Sequence, residues 1–291
     1  MTEIPKEEML LKCPSTCAGC GSLLALRYIL KAAGKDTVLV IPACCNSVIQ
    51  GVYPYMLHTV PVYNIAFAAA AACASGMSEA LRAKGEKTNV IVYAGDGGTA
   101  DIGIQALSGA LERGEDFLYI CYDNEAYMNT GIQKSSLTPF GARTTTTPAG
   151  KNLHGNLSNK KNMFEIVAAH GISYAATASV GYLPDFMKKV EKAASIRGTK
   201  YIHVIAPCPT GWGIKTEDCI EVAKEVVDCG LWYLAEFENG EFHINRKPKE
   251  FTDVATYIKR QGRFKHLDES DIQAIIAGRD AKWNFINKHF N

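Results

Sequence analysis

The chain has 291 residues, 47% of them hydrophobic, and its 31 Lys and Arg nearly cancel 30 Asp and Glu. That length supports one large core or two modest ones, and the balanced charge gives no reason to expect nucleic acid or an anionic membrane surface as a partner. No run of roughly 18 apolar residues is present to cross a membrane, and the acidic start, MTEIPKEEML, lacks the apolar stretch of a secretion signal, so a cytoplasmic protein is expected.

Without such a signal the ten cysteines read as reduced thiols rather than as disulfides. Three of them, Cys13, Cys17 and Cys20, crowd the segment LKCPSTCAGCGSLL. A helix is predicted at once over 21–33, with Leu23, Leu26, Leu30 and Ala33 on one face and Gly34 as its stop. TVLVI at 37–41 reads as a buried strand, followed by Cys44 and Cys45. A helix is expected over 65–83, so rich in alanine that neighbours can approach its backbone. NVIVY at 89–93 is a strand that runs into Gly95-Asp96-Gly97-Gly98. Ile104, Leu107 and Leu111 stripe the next helix, Gly114 ends it, and FLYICY at 117–122 is a strand again. The segment 124–162 is long and polar, the kind of insertion that is usually functional. Helix, strand, helix and strand follow at 164–169, 174–178, 184–194 and 201–206, then a helix at 216–228. Cys73, Cys121, Cys219 and Cys229 lie in apolar runs and read as small core residues.

This alternation predicts an α/β fold, a mostly parallel sheet with helices on both faces. From about residue 237 the pattern changes. FENGEFHIN predicts a hairpin turning at Asn239-Gly240, and two amphipathic helical segments follow, the second opened by a Ser270/Gln273 capping box. The expected division is a cofactor-binding α/β domain over 1–236 and a C-terminal hairpin and helical extension over 237–291.

The glycines around Asp96 let backbone approach a bulky anion, and the following helix N-terminus favours negative charge. A carboxylate at the carboxyl end of a strand stands where open α/β sheets bind ligands. Beside phosphates it calls for a divalent cation such as Mg²⁺, which takes oxygen ligands. The next strand ends in Asp123-Asn124, a second source of oxygen at the same edge. A GDG alone is an ordinary turn. Strand, GDG, helix, strand and Asn in that order resemble the thiamine diphosphate fingerprint. The resemblance implies that Asp96, the Asn124 side chain and the Ala126 carbonyl hold Mg²⁺ against the diphosphate, with Gly95, Gly97, Gly98 and Thr130 also at the cofactor.

CAGCGSLLAL, IPACCNS, AGDGGTADIGIQALSGALERGEDFLYICYDNEAYMNTGIQKSSLTPFGA, APCPTGW and QGRFKHL together resemble the β subunit of the pyruvate:ferredoxin oxidoreductase (pyruvate synthase) family, over most of the chain. The resemblance implies the thiamine diphosphate-binding fold and one [4Fe–4S] cluster, held by four thiolates. Mapped residue by residue, those are Cys17, Cys20, Cys45 and Cys208. Cys13 could replace Cys17 by spacing alone, and Cys44 adjoins Cys45. A structural Zn(Cys)₄ site makes similar demands. The reaction implied is 2-oxo acid + CoA + oxidised ferredoxin = acyl-CoA + CO₂ + reduced ferredoxin, with pyruvate the expected substrate. 2-Oxoglutarate, branched-chain or aryl 2-oxo acids and oxalate are the alternatives, and a non-catalytic metal-binding module is a different class. Asn129, in YMNTG, is the residue expected nearest the reacting carbon, where its amide can hydrogen-bond a carboxylate or oxyanion. A turn-shaping role for Asn129 and Thr130 is the plainer alternative. Thr144 to Thr147 are expected to border the site or simply to form a solvated loop. His58, His170 and His203 read as satisfied core groups and Lys160-Lys161 as a solvated surface pair. No residue here takes the part of the glutamate that activates the aminopyrimidine. The resemblance therefore implies an α subunit carrying it, and a small ferredoxin-like subunit that conducts electrons outward.

Overall fold

The computed structural model describes residues 4–12, 15–151 and 153–290. In chain order the elements are α1 (Gly21–Ala33), β1 (Thr37–Pro42), α2 (Cys45–Ile49), β2 (Val62–Ile65), α3 (Ala70–Ala83), β3 (Asn89–Gly95), α4 (Asp96–Ala100), α5 (Ile104–Arg113) and β4 (Leu118–Asp123). A two-residue ribbon, β5 (Ala149–Gly150) with β6 (Leu153–His154), interrupts the long polar segment. There follow α6 (Met163–Ala168), β7 (Tyr174–Ser179), α7 (Leu183–Ser195), β8 (Lys200–Ile205), α8 (Pro209–Trp212), α9 (Cys219–Asp228), β9 (Leu234–Glu238), β10 (Glu241–Arg246), α10 (Val254–Lys259) and α11 (Glu269–His289).

Eight strands form one sheet in the order β10-β9-β7-β8-β4-β3-β1-β2. All pairings from β2 across to β7 are parallel; β9 joins β7 antiparallel and β10 joins β9 antiparallel. The central strands are β-branched and aromatic runs buried on both faces, as a parallel sheet covered by helices requires. One face packs on α1 and α7, where Leu26, Ile29 and Leu30 meet Phe186 and Val190. The other packs on α3, α5, α6 and α11. Ala70, Ala71 and Ala74 are buried on α3, so the alanines are the face that meets the core.

Two boundaries differ from the sequence reading. The helix expected over 65–83 begins only at Ala70, because 62–65 pairs with β1 as an edge strand. The domain boundary expected after residue 236 falls inside β9, so residues 237–291 are no separate extension. The hairpin turns at Asn239-Gly240, both in the left-handed region (φ 54° and 85°), but it extends the main sheet. The last helix adds Trp283, Ile286 and then Phe290 to the same core, and Trp283 Nε1 donates to the Gly230 carbonyl at 2.8 Å. Its cap is Asp268, paired reciprocally with Asp271, in place of the expected Ser270/Gln273.

His170 is satisfied between Ser108 and the Ile166 carbonyl, and His203 by Asp123. His58 departs from expectation. It is buried under the segment 9–11, which pairs with 57–59, and among the described residues neither ring nitrogen has a hydrogen-bond partner. Burial therefore lowers its pKa to about 4.

Two outcomes are expected. Trp283→Ala should cost about 3–5 kcal/mol in urea unfolding, the range for emptying a buried aromatic site; a change below about 1 kcal/mol would mean that α11 does not complete the core. Between about pH 6.5 and pH 4 the unfolded chain binds a proton at His58 that the folded chain refuses, so stability falls as pH drops through that window. His58→Leu should flatten that slope in denaturant titrations repeated across it.

Candidate functional site

Asp96, Asn124, Cys45 and Cys208 come from the carboxyl edge of the parallel strands and Cys20 from the helix that starts there, while Cys17 lies in the loop before that helix. Asp96 follows β3 and opens α4, and Asn124 follows β4. Cys45 opens α2 just after β1, and Cys208 caps α8 just after β8. Cys20 caps α1, which the Gly21 N–H ties to the Pro207 carbonyl at 3.2 Å.

Gly95, Asp96, Gly97 and Gly98 are buried at the β3–α4 junction. A Cβ on Gly97 would lie 2.2 Å from the Tyr127 ring, so only glycine lets that ring close over the turn. Asp96 accepts a hydrogen bond from the Ser135 hydroxyl on Oδ2. On Oδ1 it faces the Asn124 side-chain amide at 3.1 Å, and the same amide atom lies 2.8 Å from the Ala126 carbonyl oxygen. With its NH₂ turned inward, Asn124 would donate to both. With its oxygen inward, Asn124 stands against two other oxygens, an arrangement that a cation would stabilise. The charges favour a cation. Burial and the neighbouring Asp123 carboxylate push Asp96 upward, and among the described residues no Lys, Arg or His pairs with it. Asp96, Asn124 and Ala126 thus have the donor chemistry for Mg²⁺.

The thiols form a second group. Cys20 accepts from the Leu23 N–H at 3.5 Å and Cys208 from the Gly211 N–H at 3.4 Å. Burial raises both, and each lies close enough to Cys17 for a thiolate there to raise it further. Cys45 is pushed up to about 12 by burial first, then by Cys44, Cys208, Cys20 and Asp96. Cys44 faces the other way, with its thiol toward the Tyr122 hydroxyl and the Gly95 backbone. Cys17 is exposed at the rim, and Cys13 lies outside the described residues. No three His, Cys, Asp or Glu among the described residues stand close enough to grip a single ion. Half-buried thiols that raise one another stay protonated unless a cationic centre compensates them. Cys17, Cys20, Cys45 and Cys208 therefore have the donor chemistry for an iron–sulfur centre, whose thiolates are spread over several irons.

The turn 127–133 lies between the two groups. Tyr127 covers Gly97 and donates to Asp101 at 2.8 Å. The Met128 sulfur sits 2.1 Å from where a Cβ on Gly211 would be, beside Cys208. Asn129 and Thr130 are exposed at the tip. Thr145 braces the turn through its N–H to the Ile132 carbonyl at 2.9 Å, and Thr144 bonds Thr147 at 2.7 Å. The segment is a loop with Thr145 and Thr146 exposed and Thr144 buried, and its hydrogen bonds brace the turn.

Sequence reasoning missed the charged cluster behind Asn124. Lys160 is half-buried and paired rather than a solvated surface group: its Nζ lies 2.6 Å from both Asp123 and Glu125 and 4.9 Å over the Trp232 ring. Lys161 bonds the Ala100 carbonyl. Arg263 pairs with Glu125 at 2.6 Å and stacks 3.9 Å over Trp212. Asp123 also takes His203 at 2.9 Å, and these partners hold its carboxyl below its usual range despite burial. One signal was available: two acids at the end of a fully buried strand need cations nearby. A cavity of about 570 Å³ opens beyond this cluster, lined by Glu125, Lys160, His203, Trp232, Arg263 and Lys282 among others. It includes neither Asp96 nor any cysteine.

Comparison with known proteins bears on the family and the fold. The profile of the thiamine pyrophosphate enzymes, C-terminal TPP binding domain, matches residues 45–204. A pyruvate synthase subunit PorB of Methanothermobacter marburgensis is 50% identical over 268 residues, 92% of this chain and 93% of that one. A ketoisovalerate oxidoreductase subunit VorB of Pyrococcus abyssi is 47% identical over 98% of this chain and 94% of its own. The solved 2-oxoglutarate:ferredoxin oxidoreductase of Magnetococcus marinus, with 2-oxoglutarate, coenzyme A and succinyl-CoA bound, shares the fold at 18% identity. Its TM-score is 0.60, over 94% of this chain and 97% of the matched one. The chain belongs to the PorB/VorB subunit family of 2-oxoacid:ferredoxin oxidoreductases and carries their thiamine diphosphate-binding domain. No helix among the described residues is long and apolar enough to cross a membrane.

Proposed function

We propose that this member of the 2-oxoacid:ferredoxin oxidoreductase family oxidatively decarboxylates pyruvate to acetyl-CoA, reversibly, with ferredoxin as electron acceptor. It would do so by holding thiamine diphosphate with Mg²⁺ at Asp96, Asn124 and Ala126 beside a [4Fe–4S] cluster at Cys17, Cys20, Cys45 and Cys208. The observation that carries this reading is the single edge: Cys45, Asp96 and Cys208 each follow a parallel strand, Cys20 caps the helix tied to Pro207, and charge on Cys20, Cys208 or Asp96 would be felt at Cys45. When bound, thiamine diphosphate supplies the electron sink that loss of CO₂ requires, and the cluster supplies a one-electron acceptor.

The chain's own residues would prepare both. Gly97 and Gly98 let backbone reach the diphosphate, and the Ser135 hydroxyl orients the Asp96 carboxylate. The Leu23 and Gly211 N–H groups stabilise thiolate at Cys20 and Cys208. Asn129, held between the two groups by Tyr127 and Met128, would offer its amide to the substrate carboxylate. Partner chains are part of this reading. Val52 and Tyr53 are 78% and 87% exposed, and Val48, Tyr55 and Tyr63 are also exposed, so the α2–β2 connection beside Cys45 presents an apolar patch. That patch suits an α subunit bearing the pyrimidine-side residues, with a ferredoxin-like subunit and CoA completing the complex. A branched 2-oxo acid is the second reading, favoured by the VorB identity.

The two ligand sets predict a double dissociation. In the reconstituted complex, Cys208→Ser should lose iron and its paramagnetic signal while thiamine diphosphate still binds, and Asp96→Ala should do the reverse. Zinc in place of iron in the wild-type complex, or no cofactor uptake, would overturn the proposal. Turnover with pyruvate should exceed that with 3-methyl-2-oxobutanoate, 2-oxoglutarate or oxalate, and turnover by the isolated chain would refute the dependence on partners.

A further inference from the structure

Glu125 stands between the two residues assigned to the metal, yet its side chain points away from it. Its backbone is left-handed (φ 68°), a conformation that carries a cost for any residue with a Cβ. That turn brings the Ala126 carbonyl oxygen 2.8 Å from the Asn124 side-chain amide, which itself faces Asp96 at 3.1 Å. The Glu125 side chain goes to the opposite side, where Lys160 and Arg263 hold one carboxylate oxygen each at 2.6 Å.

The backbone of the turn is pinned as thoroughly. The Asn124 carbonyl accepts from Trp212 Nε1 at 2.8 Å, the ring on which Arg263 stacks. The Glu125 N–H donates to Asp123 Oδ1 at 2.9 Å, and the Glu125 carbonyl accepts from the Thr138 hydroxyl at 2.7 Å. The Asp123 carbonyl accepts from the Ala206 N–H at 2.8 Å. Among the described residues, the Ala126 carbonyl is the one from 123 to 126 that takes none of these bonds, and it lies 2.8 Å from the Asn124 side-chain amide.

We infer that Glu125, clamped by Lys160 and Arg263, is a positioning residue that sets the left-handed turn presenting Asn124 and Ala126 to the metal. The inference rests on the metal site proposed above. It makes a prediction that through-space electrostatics reverses. Removing a nearby positive charge tightens cation binding by simple Coulomb attraction. If Lys160 acts through the turn, removing it loosens the metal instead.

The test uses the whole complex, stripped of metal, with thiamine diphosphate present and Mn²⁺ as the probe, free Mn²⁺ being read by electron paramagnetic resonance. Lys160→Met should raise the Mn²⁺ dissociation constant at least tenfold, and Thr138→Val at least fivefold, with turnover recovering at saturating Mn²⁺. Asp96→Asn is the reference. If it weakens Mn²⁺ binding while Thr138→Val and Lys160→Met bind as well as or better than wild type, the clamp is refuted and the site stands. If Asp96→Asn binds as wild type does, the metal site fails and the clamp with it. Should Lys160→Met not fold, Thr138→Val, which removes one hydroxyl, decides alone.

Discussion

The Asp123 carboxylate has no exposed surface, and the rest of the site depends on how it is kept charged there. A bare carboxylate so placed would cost several kcal/mol. Lys160 and His203 compensate it from one side, and its Oδ1 accepts from the Glu125 N–H on the other. With Asp123 satisfied, the neighbouring Asp96 is left, among the described residues, with no cation in ion-pair contact; Lys160 acts on it only at longer range. The division is chemical: the acid at the strand end is neutralised by the protein, and the acid one strand over is not.

That arrangement exists because parallel strands deliver their carboxyl ends to one side. β1, β3, β4 and β8 each end there in a short turn, and the turns carry Cys44-Cys45, Asp96, Asn124 and Cys208. Separations of dozens of residues along the chain become neighbouring strand positions. The polar segment after β4 closes the arrangement from outside. Ser135 reaches Asp96, Thr138 reaches Glu125, and Lys160 reaches Asp123.

The alternation of strands and helices and the GDG turn at the end of a strand were legible from residue order. Strands such as NVIVY and FLYICY leave little freedom of interpretation, and glycine beside aspartate after a strand marks a ligand edge. Other features were hidden for definable reasons. VYNI at 62–65 is four residues long with a polar centre, so it merged into the alanine helix that follows. Lys160-Lys161 in a run of Asn, Ser and Gly has the composition of a solvated loop; only the acids it meets, 35 residues or more away, make it interior. Adjacent Cys44 and Cys45 are equivalent by spacing, and it is the geometry at the start of α2 that sends one toward Tyr122 and the other toward Cys208. The unpaired ring of His58 has no signature in composition at all.

The placement of α11 bears on what its detachment would expose. Trp283, Ile286 and Phe290 close an apolar face that the strands and α6 leave open. Phe164, Tyr233 and Phe242 all pack on the Phe290 ring. Local unfolding that peels α11 away therefore uncovers a cluster of aromatic rings, the kind of surface that chaperones bind and other chains stick to.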